Sequence, residues 1–190
     1  MSTSAFADGP RPVPVRGEVA SFSPKVIEVK GRDNETRKVF LAENFQIIGL
    51  KKRTLDDIKI GDFVSSTAVP DGNGGHMALQ VSILPAALAG ANEGQHPWDA
   101  APDSVMTNAA ISGVVSRSGE GPQRLVLTYE GGDDFEISVP EDTPIVSFIP
   151  GSAELLEPGA EVFIIAVNKD GVGLVTNRII AETDGLKPPM

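Results

Sequence analysis

The sequence predicts an all-β chain, folded as two small antiparallel barrels in tandem with an irregular linker between them. Three observations predict this. Apolar residues come in short runs that alternate with polar ones, the period of a half-buried strand. Gly 20 and Pro 15 punctuate those runs, and Val, Ile and Thr are frequent inside them, a mix that suits short strands and tight turns. A series of anchors also recurs in the same order at an offset of about 96 to 99 residues, the mark of an internal repeat.

The repeat can be followed element by element. Val15-Arg16-Gly17-Glu18-Val19 opens the first copy and Ile111-Ser112-Gly113-Val114-Val115 the second, both apolar-x-Gly-x-Val. A glycine at that phase fits a bend or bulge where a barrel strand coils. Val26-Ile27-Glu28-Val29 and Leu125-Val126-Leu127-Thr128 are the next strands. Hairpin turns follow at Gly31-Arg32-Asp33-Asn34 and Gly131-Gly132-Asp133, with return strands from Arg37 to Ala42 and from Phe135 to Val139. Asn44 to Leu50 and Asp142 to Ile149 are read as segments that carry the chain across each barrel.

A second shared motif, apolar-x-x-Gly-x-x-Val, joins Ile58 to Val64 with Leu156 to Val162. Its glycine permits the turn into a strand and its apolar residue can plug a barrel end. Before it, Thr54 can cap one helical turn over Leu55-Asp56-Asp57. Asp71-Gly72-Asn73-Gly74 and Asp170-Gly171 mark the last hairpins, ahead of strands over Met77 to Leu84 and Leu174 to Ala181. The expected division is a leader over 1–14, a first barrel over 15–84, a linker over 85–104, a second barrel over 105–182 and a tail over 183–190. About five strands per copy fit an OB-like or an SH3-like barrel.

Composition narrows the function classes. The formal net charge is −10 with a pI near 4.6, and Lys51-Lys52-Arg53 is the one dense basic cluster, read as a solvated turn. Such a chain repels nucleic acid, and with aromatics at 5% it lacks the stacking residues of a single-strand groove. No run of about 18 apolar residues is present, so no membrane-spanning helix is expected. Cys 0 excludes disulfides, thiolate metal sites and a cysteine nucleophile.

The order strand, Gly-x-Val, hairpin, crossing segment, apolar-x-x-Gly-x-x-Val, Asp-Gly hairpin and last strand resembles small OB-like domains of unknown function found, often in tandem, in exported bacterial proteins. The resemblance covers most of Val15 to Ala181. It implies a barrel fold and a periplasmic or otherwise exported location, and it brings no catalytic residues.

Candidate sites lie where the copies differ. The linker holds Gly94-Gln95-His96-Pro97-Trp98-Asp99, including the single tryptophan of the chain. Trp98 is read as packing at a groove between the barrels, with His96 bonded to a loop carbonyl; the same residues, His96, Pro97, Trp98 and Asp99, are the candidate ligand or partner groove. His76, Met77, His96 and Met106 form a candidate copper set, because imidazole and thioether ligands favour that metal. The two histidines show no ligand spacing, so the cofactor expectation is none, with copper as the alternative.

Asp71 to Gly75 lacks the distal glutamate of a calcium loop. Neighbouring acids on a strand point to opposite faces, so pairs such as Asp133-Asp134 do not form a glycosidase pair, and no Gly-x-Ser-x-Gly elbow is present. The chain is therefore read as no enzyme, but as an exported binding or scaffold protein. A periplasmic copper accessory protein and a binder of small molecules or glycans are the competing readings. The sequence leaves the protein or small-ligand partner and the oligomeric state open.

Overall fold

The computed structural model describes residues 12–115, 122–132 and 134–188. Among them are twelve strands, three short 3-10 turns and no α-helix. The chain is all-β, as its alternation predicts, and contains a closed β-barrel. The strands are β1 (Pro12–Ser23), β2 (Val26–Lys30), β3 (Thr36–Arg53), β4 (Phe63–Pro70), β5 (His76–Ile83), β6 (Gly94–Pro97), β7 (Val105–Val115), β8 (Gln123–Thr128), β9 (Phe135–Val139), β10 (Ile145–Pro150), β11 (Glu161–Lys169) and β12 (Gly173–Ala181).

The strands gather into two compact units that run across the halves of the chain rather than along them. Unit 1 joins the described residues up to Gly49 with Pro150 to Pro188, while unit 2 is the continuous stretch Leu50 to Ile149. Unit 1 has the strand order β12-β11-β1-β2-β3, and β3 returns to pair in parallel with β12. Its inward residues include Val15, Val19, Ile27, Val29, Val39, Leu156, Ile164 and Ile179. Ile27, Val29, Val39, Ile164 and Ile179 are wholly excluded from solvent, and each such side chain contributes about 1.5–3 kcal/mol.

Unit 2 follows the order β5-β4-β7-β8-β9, and β5 pairs back in parallel with β9 at His76↔Ile137. Its core holds Ile58, Val64, Val81, Ile111, Leu125, Leu127 and Ile137. Ile58 and Leu156, the apolar residues of the repeated glycine motif, are both buried in these cores. Their partner glycines Gly61 and Gly159 have φ of 93° and 92°, backbone that favours glycine.

The pairing networks of the units correspond residue for residue. Val39↔Leu174 in unit 1 answers Ile137↔His76 in unit 2, and Ile47↔Ile179 answers Ile145↔Val81. All four positions are displaced by 98 residues. The opening strands follow another spacing. Gly17 pairs with Val162 and Val19 with Val29, whereas Ala109 pairs with Val64 and Ile111 with Leu127. Gly17 therefore matches Ala109, four residues away from Gly113, the position its motif points to.

The two glycines do different work. A Cβ on Gly17 would stand 2.0 Å from the Lys30 carbonyl oxygen at φ +150°, while one on Gly113 would meet only the Val126 side chain at 3.4 Å. Gly113 instead follows the irregularity in the β7–β8 register between Ile111 and Gly113.

Other expectations change for related reasons. The segments read as crossing a barrel carry the chain from one unit to the other, at Gly49-Leu50 and Ile149-Pro150. The stretch 85–104 is ordered: a 3-10 turn spans Ala86–Leu88, and β6 pairs with β7. Pro12 to Pro14, placed in a leader, already belong to β1 and pair with β11; Met1 to Arg11, Asp133 and Met190 lie outside the described residues.

The N-terminal part of β1 also shows how an edge is closed. Val19 exchanges backbone hydrogen bonds with Gly159 and Ala160 on the β11 side, so odd positions of β1 turn toward β11 and Pro12 and Pro14 turn away. Prolines there remove N–H groups from the edge that β2 reaches only at Glu18. In unit 2 the corresponding stretch of β7 is covered instead by β6.

Two outcomes are expected. In this cysteine-free chain, the Pro14→Cys/Ile165→Cys variant oxidises to a disulfide, because those positions are cross-strand partners. A Pro14→Cys/Thr67→Cys variant, paired in barrels closed by their own half of the chain, stays reduced. Peptide mapping without reduction distinguishes them. Gly17→Ala, forced against the Lys30 carbonyl, lowers stability by about 2–4 kcal/mol in urea unfolding, while Gly113→Ala costs under about 1 kcal/mol.

Candidate binding surface on unit 2

Alternation along β7 decides which side chains reach the outside of unit 2. Ala109 and Ile111 belong to the core and Val105 packs against it, so Met106 and Asn108 point outward. Residues paired across strands share a face, which places His96, opposite Met106, on the outside as well. Across β4, Ala68↔Ala78 are core residues and Val69↔Met77 is the adjacent pair, so Met77 also points outward. His96, Met106 and Met77 thus project from one face of the β6–β7–β4–β5 sheet. Trp98, two residues beyond His96, continues the ladder toward that side, its N–H donating to the Ser104 carbonyl at 2.8 Å.

His76 is not among them. It lies opposite Pro70, on the face that turns inward, and its ring meets Phe135 edge-on at 4.7 Å between centroids. The Ser138 hydroxyl donates to the His76 carbonyl at 3.0 Å. The four residues grouped by the copper expectation are therefore split, three on one face and His76 on the other. Among the described residues no three His, Asp or Glu side chains converge as metal ligands.

The second group, His96, Pro97, Trp98 and Asp99, is a short edge strand and the loop after it. His96 Nε2 lies 3.3 Å from the Asn92 carbonyl, the contact with a loop carbonyl that the sequence led us to expect. The same carbonyl accepts a hydrogen bond from Asn108 Nδ2 at 3.1 Å. Asn92 holds this position at φ 49°, a left-handed conformation that asparagine tolerates. The loop from Trp98 closes on Ser104, whose hydroxyl donates to the Trp98 carbonyl at 2.9 Å and accepts from the Ala101 N–H at 3.2 Å. Ser104 is 3% exposed; Trp98 is half-buried and His96, Pro97 and Asp99 are exposed.

The outer edge of β6 is poor in donors. Trp98 directs its N–H toward Ser104, so Gln95 and Pro97 turn away from β7, and Pro97 has no N–H to offer. Any recognition here uses side chains rather than an added strand. The apolar part is exposed: Met77 is 36% and Leu79 37% accessible. Beside it lie the buried outward residues Thr67, Gln80, Ser82 and Asn108, which alternation alone assigns to solvent.

Charge sets the surroundings. Unit 2 carries fourteen of the acidic and six of the basic residues, a net −8 of the chain's −10. One carboxylate has a local role: Asp71 accepts from the N–H groups of Asn73 and Gly75, at 2.8 and 2.9 Å. These bonds hold its carboxyl below the usual range and close the hairpin. Comparison of the chain with protein-family models, with curated proteins and with solved structures finds no match.

Ser104→Ala removes both loop bonds and leaves buried groups unmade; it is expected to cost about 1–2 kcal/mol and to shift Trp98 emission to the red. Denaturant unfolding followed by fluorescence of this single tryptophan reads both effects.

Proposed function

We propose that the protein is a non-enzymatic binding or scaffold protein, exported from the cell, built from OB-like barrels and contacting its partner through the outer face of β6–β7–β4–β5. One observation carries the reading: Met77, Met106 and His96 project together from a face where Met77 and Leu79 remain exposed. Methionine is polarizable and unbranched, so such a surface adapts to its partner, and Trp98 at its border supplies an aromatic anchor. The net −8 of unit 2 favours a partner with a basic rim.

The OB-like assignment is supported by the strand order of unit 1. Its fourth and fifth strands in chain order, β11 and β12, close the ring between β1 and β3, with β3 and β12 parallel. That is the order of a five-stranded Greek-key barrel of this class. The exported location rests on the resemblance and is tested by fractionating cells that express the native gene.

Trp98 fluorescence is the test of binding. Titration with cationic extended peptides is expected to change the emission, and Met77→Asp, which puts a charge on the apolar face, is expected to weaken the response at least about tenfold. Silence toward cationic peptides, with a response to oligosaccharides, would replace this reading with the glycan binder.

A copper site is the second reading, favoured by the cross-strand pairing of His96 with Met106. It makes a distinct prediction. Cu(I) affinity drops in His96→Ala and Met106→Leu and is unchanged in His76→Ala; equal weak binding by all variants would remove it.

A further inference from the structure

Each unit is closed by a hairpin that arrives from the other half of the chain. In unit 1 the hairpin is β11–β12, joined to itself at Val167↔Val175 and docked along two seams, antiparallel to β1 and parallel to β3. In unit 2 it is β4–β5, docked on β7 and β9 in the same way. A hairpin of this kind is a self-paired arm, and its two seams are made to strands far away in sequence.

The arms are alike in register but not in filling. Val64, Ser66 and Ala68 of β4 stand where Val162, Ile164 and Ala166 stand in β11, and all six are buried. Ile164 fills the core of unit 1, while the buried Ser66 hydroxyl has no hydrogen-bond partner. Placed against β1, the β4–β5 arm would leave a void where Ile164 belongs and bury that hydroxyl in an apolar core. The chain's own alternative arm is thus a poor substitute, and an identical β11–β12 arm is a perfect one.

We propose that this protein forms a reciprocal strand-exchanged dimer with a second copy of itself, in which each chain's β11–β12 arm closes unit 1 of the other. Every pairing in unit 1 is then preserved. The change falls on Ile149-Pro150, the last residues of β10, where the chain passes from unit 2 to unit 1 and leaves that strand's course to reach the other copy. The balance between the closed monomer and the dimer is set by concentration, since the linked arm competes with an arm in solution.

The experiment uses the full chain carrying Pro14→Cys and Ile165→Cys, unfolded in denaturant and refolded over a wide range of protein concentration, then oxidised. Light scattering after size exclusion is expected to show a dimer whose share grows with refolding concentration. Its disulfide is expected to join two chains, and refolding a mixture of ¹⁵N-labelled and unlabelled protein gives covalent dimers of mixed mass. A monomer at every concentration overturns the proposal, and so does a dimer whose 14–165 disulfides all lie within one chain. The Pro12→Cys/Val167→Cys pair, also cross-strand partners, gives the same readout if the first pair fails to oxidise.

Discussion

The seam between β1 and β11 is the contact on which unit 1 depends. It joins Pro12–Glu18 to Glu161–Val167, residues separated by most of the chain, and without it β1 and β11 would be open edges. The seam is paired antiparallel along seven residues and backed by Val15, Ile164 and Ala166 in the core. Closing so long a loop carries an entropic cost that grows only slowly with its length, and a seam of buried β-branched residues offsets it. Unit 2 meets the same requirement between β4 and β7 with smaller residues, Ala109 among them.

Much of this architecture was legible in the sequence, and the missing parts have definite causes. The strands, the hairpins at Asp71 and Asp170 and the plugging residues Ile58 and Leu156 could be read because they depend on neighbours a few residues away. Which arm closes which ring depends on pairing at long range, and the alternation of Val162-Ile164-Ala166 is equally satisfied by either partner. The Gly17–Gly113 equation failed because the motif records a glycine without its reason. Gly17 is required by the close carbonyl of Lys30, whereas Gly113 only sits beside an irregular register and has room for a side chain.

The site was partly legible for the same reasons. The hydrogen-bonding distance of His96 from a loop carbonyl follows from its place beside a turn. That His96 and Met106 would face each other could not be read, since it needs β6, a four-residue strand within a stretch rich in Gly, Pro and Ala. His76 and Met77 are neighbours in sequence, and in a strand that adjacency separates them to opposite faces. Ser65 to Thr67 look like an ordinary half-exposed strand, yet Ser66 and Thr67 are both buried.

The continuity of unit 2 gives the two units different histories during synthesis. Unit 2 is one unbroken stretch, so all its strands have been made once the ribosome passes Ile149. Unit 1 begins earlier and ends later: β1, β2 and most of β3 emerge first and then wait for β11 and β12. At ordinary translation speeds the intervening stretch of about a hundred residues takes roughly 5–20 s. Throughout that interval the β1 edge is unpaired, and Pro12 and Pro14 blunt only the side that faces away from β11. The side that will receive β11 stays an open template, which makes the nascent chain on crowded polysomes the place where neighbouring copies first encounter one another's unfinished barrels.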